Sequence, residues 1–484
     1  MAISIFSQRV LLPTWEIVPA VLTTDGPLIS KLEKVDRCPE GVMDLGDQLV
    51  VPAFINCHTH LPMAFLRGIE GTATALHGDV VKDLYFRLEN LLTPADVRSF
   101  TRMGCYESLL AGVGLVWEHY YHGQALADAL ADTGLCGVVA PTLQDLEGPG
   151  MKLTDAALAD TAGIARSDGA KARGIFAALG PHATDTVSDE LWGKIVAVAK
   201  EHNLPIHSHV AQSIAEYRSI GARAGGKTPV EMLKSLGVLD AGVPMMLVHG
   251  QYMTMSDLDL LKPDHMLCFC PRSHMLFAFP APIHRWVDAG RPFAVATDAA
   301  ASNDDMNVQP DLRVVQGLAM TEVTVSKPAA AFYTHTTTDP AQRLAAAEAL
   351  HSQRQQVHSE KAVEKLRDPR RLLDMVWKHP GGLHPAFRAG ELSEGALANV
   401  LILDPRHPAL WPGDDLLRAL VMCEVAPAIT GMIAGGRWIG REGAAADGGW
   451  QQSVLGAEYR EAQEDASVRR RALLRRAGIG SANL

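Results

Sequence analysis

Two histidine pairs stand out in this 484-residue chain: His58-Thr59-His60, closing the run VVPAFINCHTH, and His207-Ser208-His209, in LPIHSHV. Residues i and i+2 of a strand point to the same side, so on extended backbone each pair offers two imidazoles to one point. One such pair is a weak signal. Its repetition, together with His249 after LV and Asp298 after AVAT, assembles the donors of a divalent metal centre. Three imidazoles and one carboxylate suit zinc, and also iron or manganese. Such an ion lowers the pKa of a bound water toward neutrality and yields a hydroxide nucleophile. Asp298 would orient that water and take its proton, while His249 would polarise the electrophile or hydrogen-bond the hydroxide.

These residues must be brought together by elements far apart in the chain. Eight short apolar runs recur at 49–57, 114–119, 136–143, 174–180, 205–209, 244–249, 265–270 and 292–298, with helix-like stretches such as 94–111, 189–202 and 229–236 between them. Strands alternating with helices imply parallel pairing, and eight of them fit a closed (β/α)8 barrel; an open doubly wound sheet is the alternative. His58 and His60, Glu118 and His119, His182, His207 and His209, His249 and Asp298 all end such runs. In a barrel those ends meet at one face, where catalysis is normally placed.

The rest of the chain sets the frame. Residues 1–50 and 390–445 read as a small β-sandwich domain built from both ends. The barrel then spans 51–389, with a helical insertion at about 326–370, and 446–484 form a helical tail. Hydrophobic residues at 47% supply ample core, and a net charge of -11 argues against a nucleic-acid partner. The arginines at 469–471 and 475–476 read as a solvated helix face. Seven scattered cysteines do not form a disulfide framework, and Cys268 and Cys270 read as core packing. With no apolar span long enough for a membrane, the expectation is a cytoplasmic protein acting on a small molecule, with homo-oligomerisation through the insertion or tail as an open option.

The motifs LVVPAFINCHTHLPMAFLRGI, LGPHATDTVS, LPIHSHVAQSIAEY, LVHGQYMT, CPRSHMLF, WVDAGRPFAVATDAAASND and GELSEGALANVLILD carry a resemblance to the amidohydrolase superfamily. The likeness is to its cytosine deaminase and triazine hydrolase-like branch, and it runs over about 45–315 and again near 390–440. The resemblance implies His58, His60, His209 and Asp298 as metal ligands, His249 beside the metal-bound water, and His182 in contact with substrate. It implies one metal ion per chain, zinc first, because Gly180-Pro181-His182 offers no lysine where binuclear members carry one. The implied activity is attack of metal-bound hydroxide on a carbon–nitrogen bond other than a peptide bond, in particular deamination of an aminated heterocycle. Three positions depart from the pattern. Gln212 stands where deaminases carry a proton-shuttling glutamate, His274 stands where PxSN has asparagine, and Asn399 replaces an aspartate. An amide does not exchange protons as a carboxylate does. Gln212 therefore leaves amide, lactam or dehalogenating hydrolysis open, and a non-catalytic binding relative as well. Gln212, His274 and Asn303 join His182 as candidate substrate-binding residues, and Arg67, Arg272, His119 and His122 are further pocket candidates.

Overall fold

The computed structural model describes residues 2–69, 80–277, 281–324, 336, 338–359, 361–442 and 449–479. Eight parallel strand segments follow one another: β1 (Phe54–Thr59), β2 (Val113–Tyr120), β3 (Cys136–Leu143), β4 (Ile175–Ala177, continuing at Gly180–Pro181), β5 (Ile206–Val210), β6 (Met245–His249), β7 (His265–Phe269) and β8 (Phe293–Val295). The first four and the last four form two ladders. Parallel bridges Leu179–Ile206 and Ala183–His209 join β4 to β5, and Thr59–Asp298 returns the end of β8 to β1. The ring is the expected α/β barrel. Every residue of β1, β2 and β3 is buried, as strands covered on both faces must be.

The helices between strands begin where the sequence signals them. Helix α1 (Pro94–Leu110) has proline in its first turn and a reciprocal capping box between Thr93 and Asp96. Thr228 and Glu231 do the same for Pro229–Ser235. Helix α2 (Pro271–Leu276) is a short turn directly after β7.

The run at 49–57 divides in two. Leu49–Pro52 pairs with Val400–Leu403 and with Ser4–Leu11, in an eight-stranded sheet drawn from both ends of the chain, and only Phe54 onward enters the barrel. Alternation splits that sheet's faces. Val50, Val400, Ile402 and Ile433 form a separate small core with Leu22 and Leu392. Leu49, Val51, Leu401 and Leu403 pack into the main core. Of the expected insertion, Pro340–Ser359 and Lys361–Lys365 are helical, whereas 325–335 lie outside the described residues.

Helix α3 (Ala457–Arg476) carries the basic run, and Arg469, Arg470 and Arg476 are bound while Arg471 and Arg475 stay exposed. Arg470 donates to the carbonyls of Phe65 and Arg67, and Arg469 and Arg476 reach the buried Asp96 carboxylate. Part of the expected solvated face is therefore a clamp that holds this helix on α1 and on the turn after His60. No described helix is long and apolar enough to cross a membrane.

Candidate metal centre

The end of β1 turns His58 and His60 to the barrel axis, and β5 does the same for His207 and His209. The ring nitrogens of His58, His60 and His209 lie within 4.8 Å of one another, all three residues buried. Their outer nitrogens are engaged. His60 Nδ1 is 2.5 Å from the His119 carbonyl and His209 Nδ1 is 2.6 Å from the His182 carbonyl. A carbonyl only accepts, so both rings carry hydrogen on Nδ1 and expose a lone pair at Nε2. His58 Nδ1 lies 2.8 Å from His207 Nε2, leaving its Nε2 facing the same point.

The inner atoms test the fit to a metal. His58 Nε2 is 3.2 Å from His209 Nε2, and Asp298 Oδ1 is 3.4 Å from His60 Nε2 and 3.7 Å from His58 Nε2. Ligands placed tetrahedrally around zinc at bonds of about 2.0–2.1 Å stand about 3.3 Å apart. Four electron-pair donors gathered at that spacing in a buried site repel unless a cation lies between them. The donor set therefore fits a divalent ion.

Asp298 follows β8 in left-handed backbone, φ 65°, as does His249 after β6, φ 75°. Such strain in non-glycine residues costs of order 1–3 kcal/mol each and collects at functional sites. Ser273 donates to Asp298 Oδ2 at 2.8 Å, and the Ala299 amide donates to Oδ1 at 2.8 Å. Burial pushes the Asp298 carboxyl up, but the imidazoles of His249, His60 and His209 and the Ser273 hydrogen bond outweigh it and hold it ionised. Burial and the neighbouring rings push His58 well down.

His182 sits half-buried at the rim, its Nδ1 3.0 Å from Thr186 Oγ1 and its ring 5.1 Å from that of His209. His119 is fully buried among these rings, 5.1 Å from His209, and neither of its nitrogens has a partner among the described residues. Gln212 is half-buried just beyond β5; its amide N–H donates to Glu216 and its carbonyl accepts from Gln251. Glu216 is bound to the Ala211 and Gln212 amides and the Thr184 hydroxyl, so it serves the loop rather than the metal. Burial, with Asp185 adding to it, raises that carboxyl to about 7.

Several pocket candidates are occupied elsewhere. The Asn303 carboxamide bonds the Thr297 carbonyl and the Asp305 amide, stiffening the loop after Asp298. Arg272 is locked to Asp305 and Asp311, and Arg67 pairs with Glu107. His274 lies behind His249, with Nε2 3.1 Å from His249 Nδ1. Ser273 and Cys270 are site residues that sequence reasoning passed over. Cys270 sits within 4.8 Å of both His249 and Asp298, although 21 and 28 residues separate it from them in sequence, so no spacing rule connects them. Glu118, a strand-end residue, holds the turn after His60 by accepting from the Leu61 amide and the Thr59 hydroxyl.

Barrel and donor set together define a metal-dependent hydrolase. Residues 49–349 match the amidohydrolase family model, and the chain belongs to that family. A relative from Thermococcus kodakarensis, a 5-methylthioadenosine/S-adenosylhomocysteine deaminase, is 26% identical over 405 residues, covering 83% of this chain and 84% of its own. Another of the same name, from Natronomonas pharaonis, is 28% identical over 403 residues, 82% of each chain. Among solved structures, a zinc-bound adenosine deaminase from Xanthomonas campestris shares the fold with a TM-score of 0.75 at 18% identity, over 97% of this chain and 98% of that one. A zinc complex of atrazine chlorohydrolase from Arthrobacter aurescens does so with a TM-score of 0.71 at 19% identity, over 98% and 100%.

Proposed function

We propose that this chain is a mononuclear, zinc-dependent aminohydrolase that replaces an amino group of a small heterocycle by hydroxyl and releases ammonia. The observation that carries the reading is the convergence of inward ligand atoms from His58, His60, His209 and Asp298, with His58–His209 at 3.2 Å, His60–Asp298 at 3.4 Å and His58–Asp298 at 3.7 Å. A divalent ion held there supplies Lewis acidity and brings a water's pKa toward neutrality. Asp298, kept ionised and oriented by Ser273, is the residue that would accept a proton from the attacking water. His249, whose Nε2 is buried and has no partner among the described residues, offers a hydrogen bond to the departing group or to the attacking water. His182 and Gln212 face the substrate from the rim. Aminopurine nucleosides are the first substrates to try, because that is the chemistry in the names of the 26–28% identical relatives.

Gln212 supports a second reading. With an amide in place of a proton shuttle, the same site suits a departing group that needs little protonation, such as chloride, or an amide or lactam. The experiment is metal content of protein purified without added metal, followed by ammonia release from amino-purines, -pyrimidines, -pterins and -triazines. One zinc per chain with ammonia supports the aminohydrolase. Zinc without ammonia moves the assignment to halide or amide substrates. No retained metal, even after reconstitution, refutes both and leaves a binding protein.

A further inference from the structure

The turn after β7 carries three consecutive side chains, each with one structural task. Arg272 anchors the turn, its guanidinium bonded to Asp311 and Asp305 while its amide donates to Asp311, a fully buried carboxylate. Ser273 donates to Asp298. His274, 1% exposed, meets His249 Nδ1 through its Nε2, and its ring is set edge-on against Phe269 at 4.4 Å. One rigid helical turn thus orients both residues assigned to the chemistry.

Two neutral imidazoles in contact share one hydrogen, so one nitrogen donates and the other accepts. Donor atoms of His249, Asp298 and Cys270 lie within 4.8 Å of one another, so the carboxylate of Asp298 borders the His249 ring. A carboxylate favours an N–H beside it over a lone pair. We propose that His274 is a positioning residue: its Nε2–H donates to His249 Nδ1, which places the His249 hydrogen on Nε2. His249 then acts as a donor to substrate, aimed at the departing nitrogen or a ring acceptor. This inference rests on the aminohydrolase reading of the site, and it answers the lack of a proton-exchanging group at Gln212 with a fixed donor at His249. Orienting partners of this kind are worth 10–100-fold in activity when removed.

The test uses zinc-loaded protein labelled with 15N-histidine, with His249 assigned by His249→Gln. Long-range proton–nitrogen correlation is expected to show the Nε2–H tautomer in the unmodified protein. His274→Phe keeps the ring packing and removes the bond; it is expected to lose that single tautomer and lower kcat about 10–100-fold, with KM and zinc content little changed. His274→Asn, which retains a donor, is expected to restore the tautomer and much of kcat. An Nδ1–H tautomer in the unmodified protein overturns the assignment, as does His274→Phe with tautomer and kcat unchanged. Absence of ammonia release from every substrate refutes the aminohydrolase reading instead, while the tautomer measurement still decides the role of His274.

Discussion

Replacing His207 isolates the orientation of a metal ligand from the ligand itself. His207 is fully buried, lies edge-on to Trp117 at 5.9 Å, and hydrogen-bonds a metal-ligand candidate through the 2.8 Å contact of its Nε2 with His58 Nδ1. For His58 to offer a lone pair at Nε2, its Nδ1 must carry the hydrogen, so His207 is the acceptor. His207→Phe preserves the packing and strands that N–H in a buried site, at about 1–3 kcal/mol. The His58 ring escapes the penalty by moving its hydrogen to Nε2, which removes it as a ligand. Either route is drawn from metal binding, and the expected loss is about 10–100-fold in zinc affinity, or about 1.4–2.8 kcal/mol. Competition with a calibrated zinc chelator measures it directly, and the zinc-induced rise in Tm should shrink in parallel. His207→Gln, retaining an acceptor, should recover part of the affinity. A zinc affinity within twofold of the unmodified protein in His207→Phe would refute the argument that this contact sets the His58 tautomer.

Three other substitutions follow from the same geometry. Gln212→Glu should raise ammonia release by about 100-fold, the low side of what a placed acid contributes, measured as kcat/KM on the best aminoheterocycle; no change removes this position from proton transfer. Glu118 is pushed up to about 8 by burial, against the lowering effect of Thr59 and the Leu61 amide. The folded state therefore holds its proton more tightly than the unfolded chain, whose value is near 4.5, and stability falls as pH rises from about 4.5 to about 8. Glu118→Gln should flatten that decline in denaturant titrations, whereas an unaltered slope would locate it elsewhere. Arg470→Ala removes two hydrogen bonds to the Phe65 and Arg67 carbonyls from a half-buried guanidinium. It should cost about 1–2 kcal/mol and speed proteolysis at the C-terminal helix; an unchanged Tm would return the basic run to a solvated face.

Much of this protein was legible in its sequence because its chemistry is written in period-two spacing. Residues i and i+2 of a strand share a side, so His58 with His60 and His207 with His209 announced a shared centre before any fold was known. Eight apolar runs ending in such residues announced the barrel that gathers them. Tertiary structure alone decided how each side chain is used, because a hydrogen-bond partner is a matter of distance rather than of sequence. His274 read as a substrate contact, and the fold sets its ring nitrogen against His249; Asn303 spends its amide on its own loop. The tail arginines read as solvated because the sequence contains no sign of Asp96 approaching from 373 residues away. Cys270 read as core and is core, yet it also stands beside Asp298, brought there by the pairing of β7 with β8. The donor types and their order along the chain were set by sequence, whereas the direction each ring nitrogen faces was set by carbonyls for His60 and His209 and by other imidazoles for His58 and His249, partners that only the fold brings within reach.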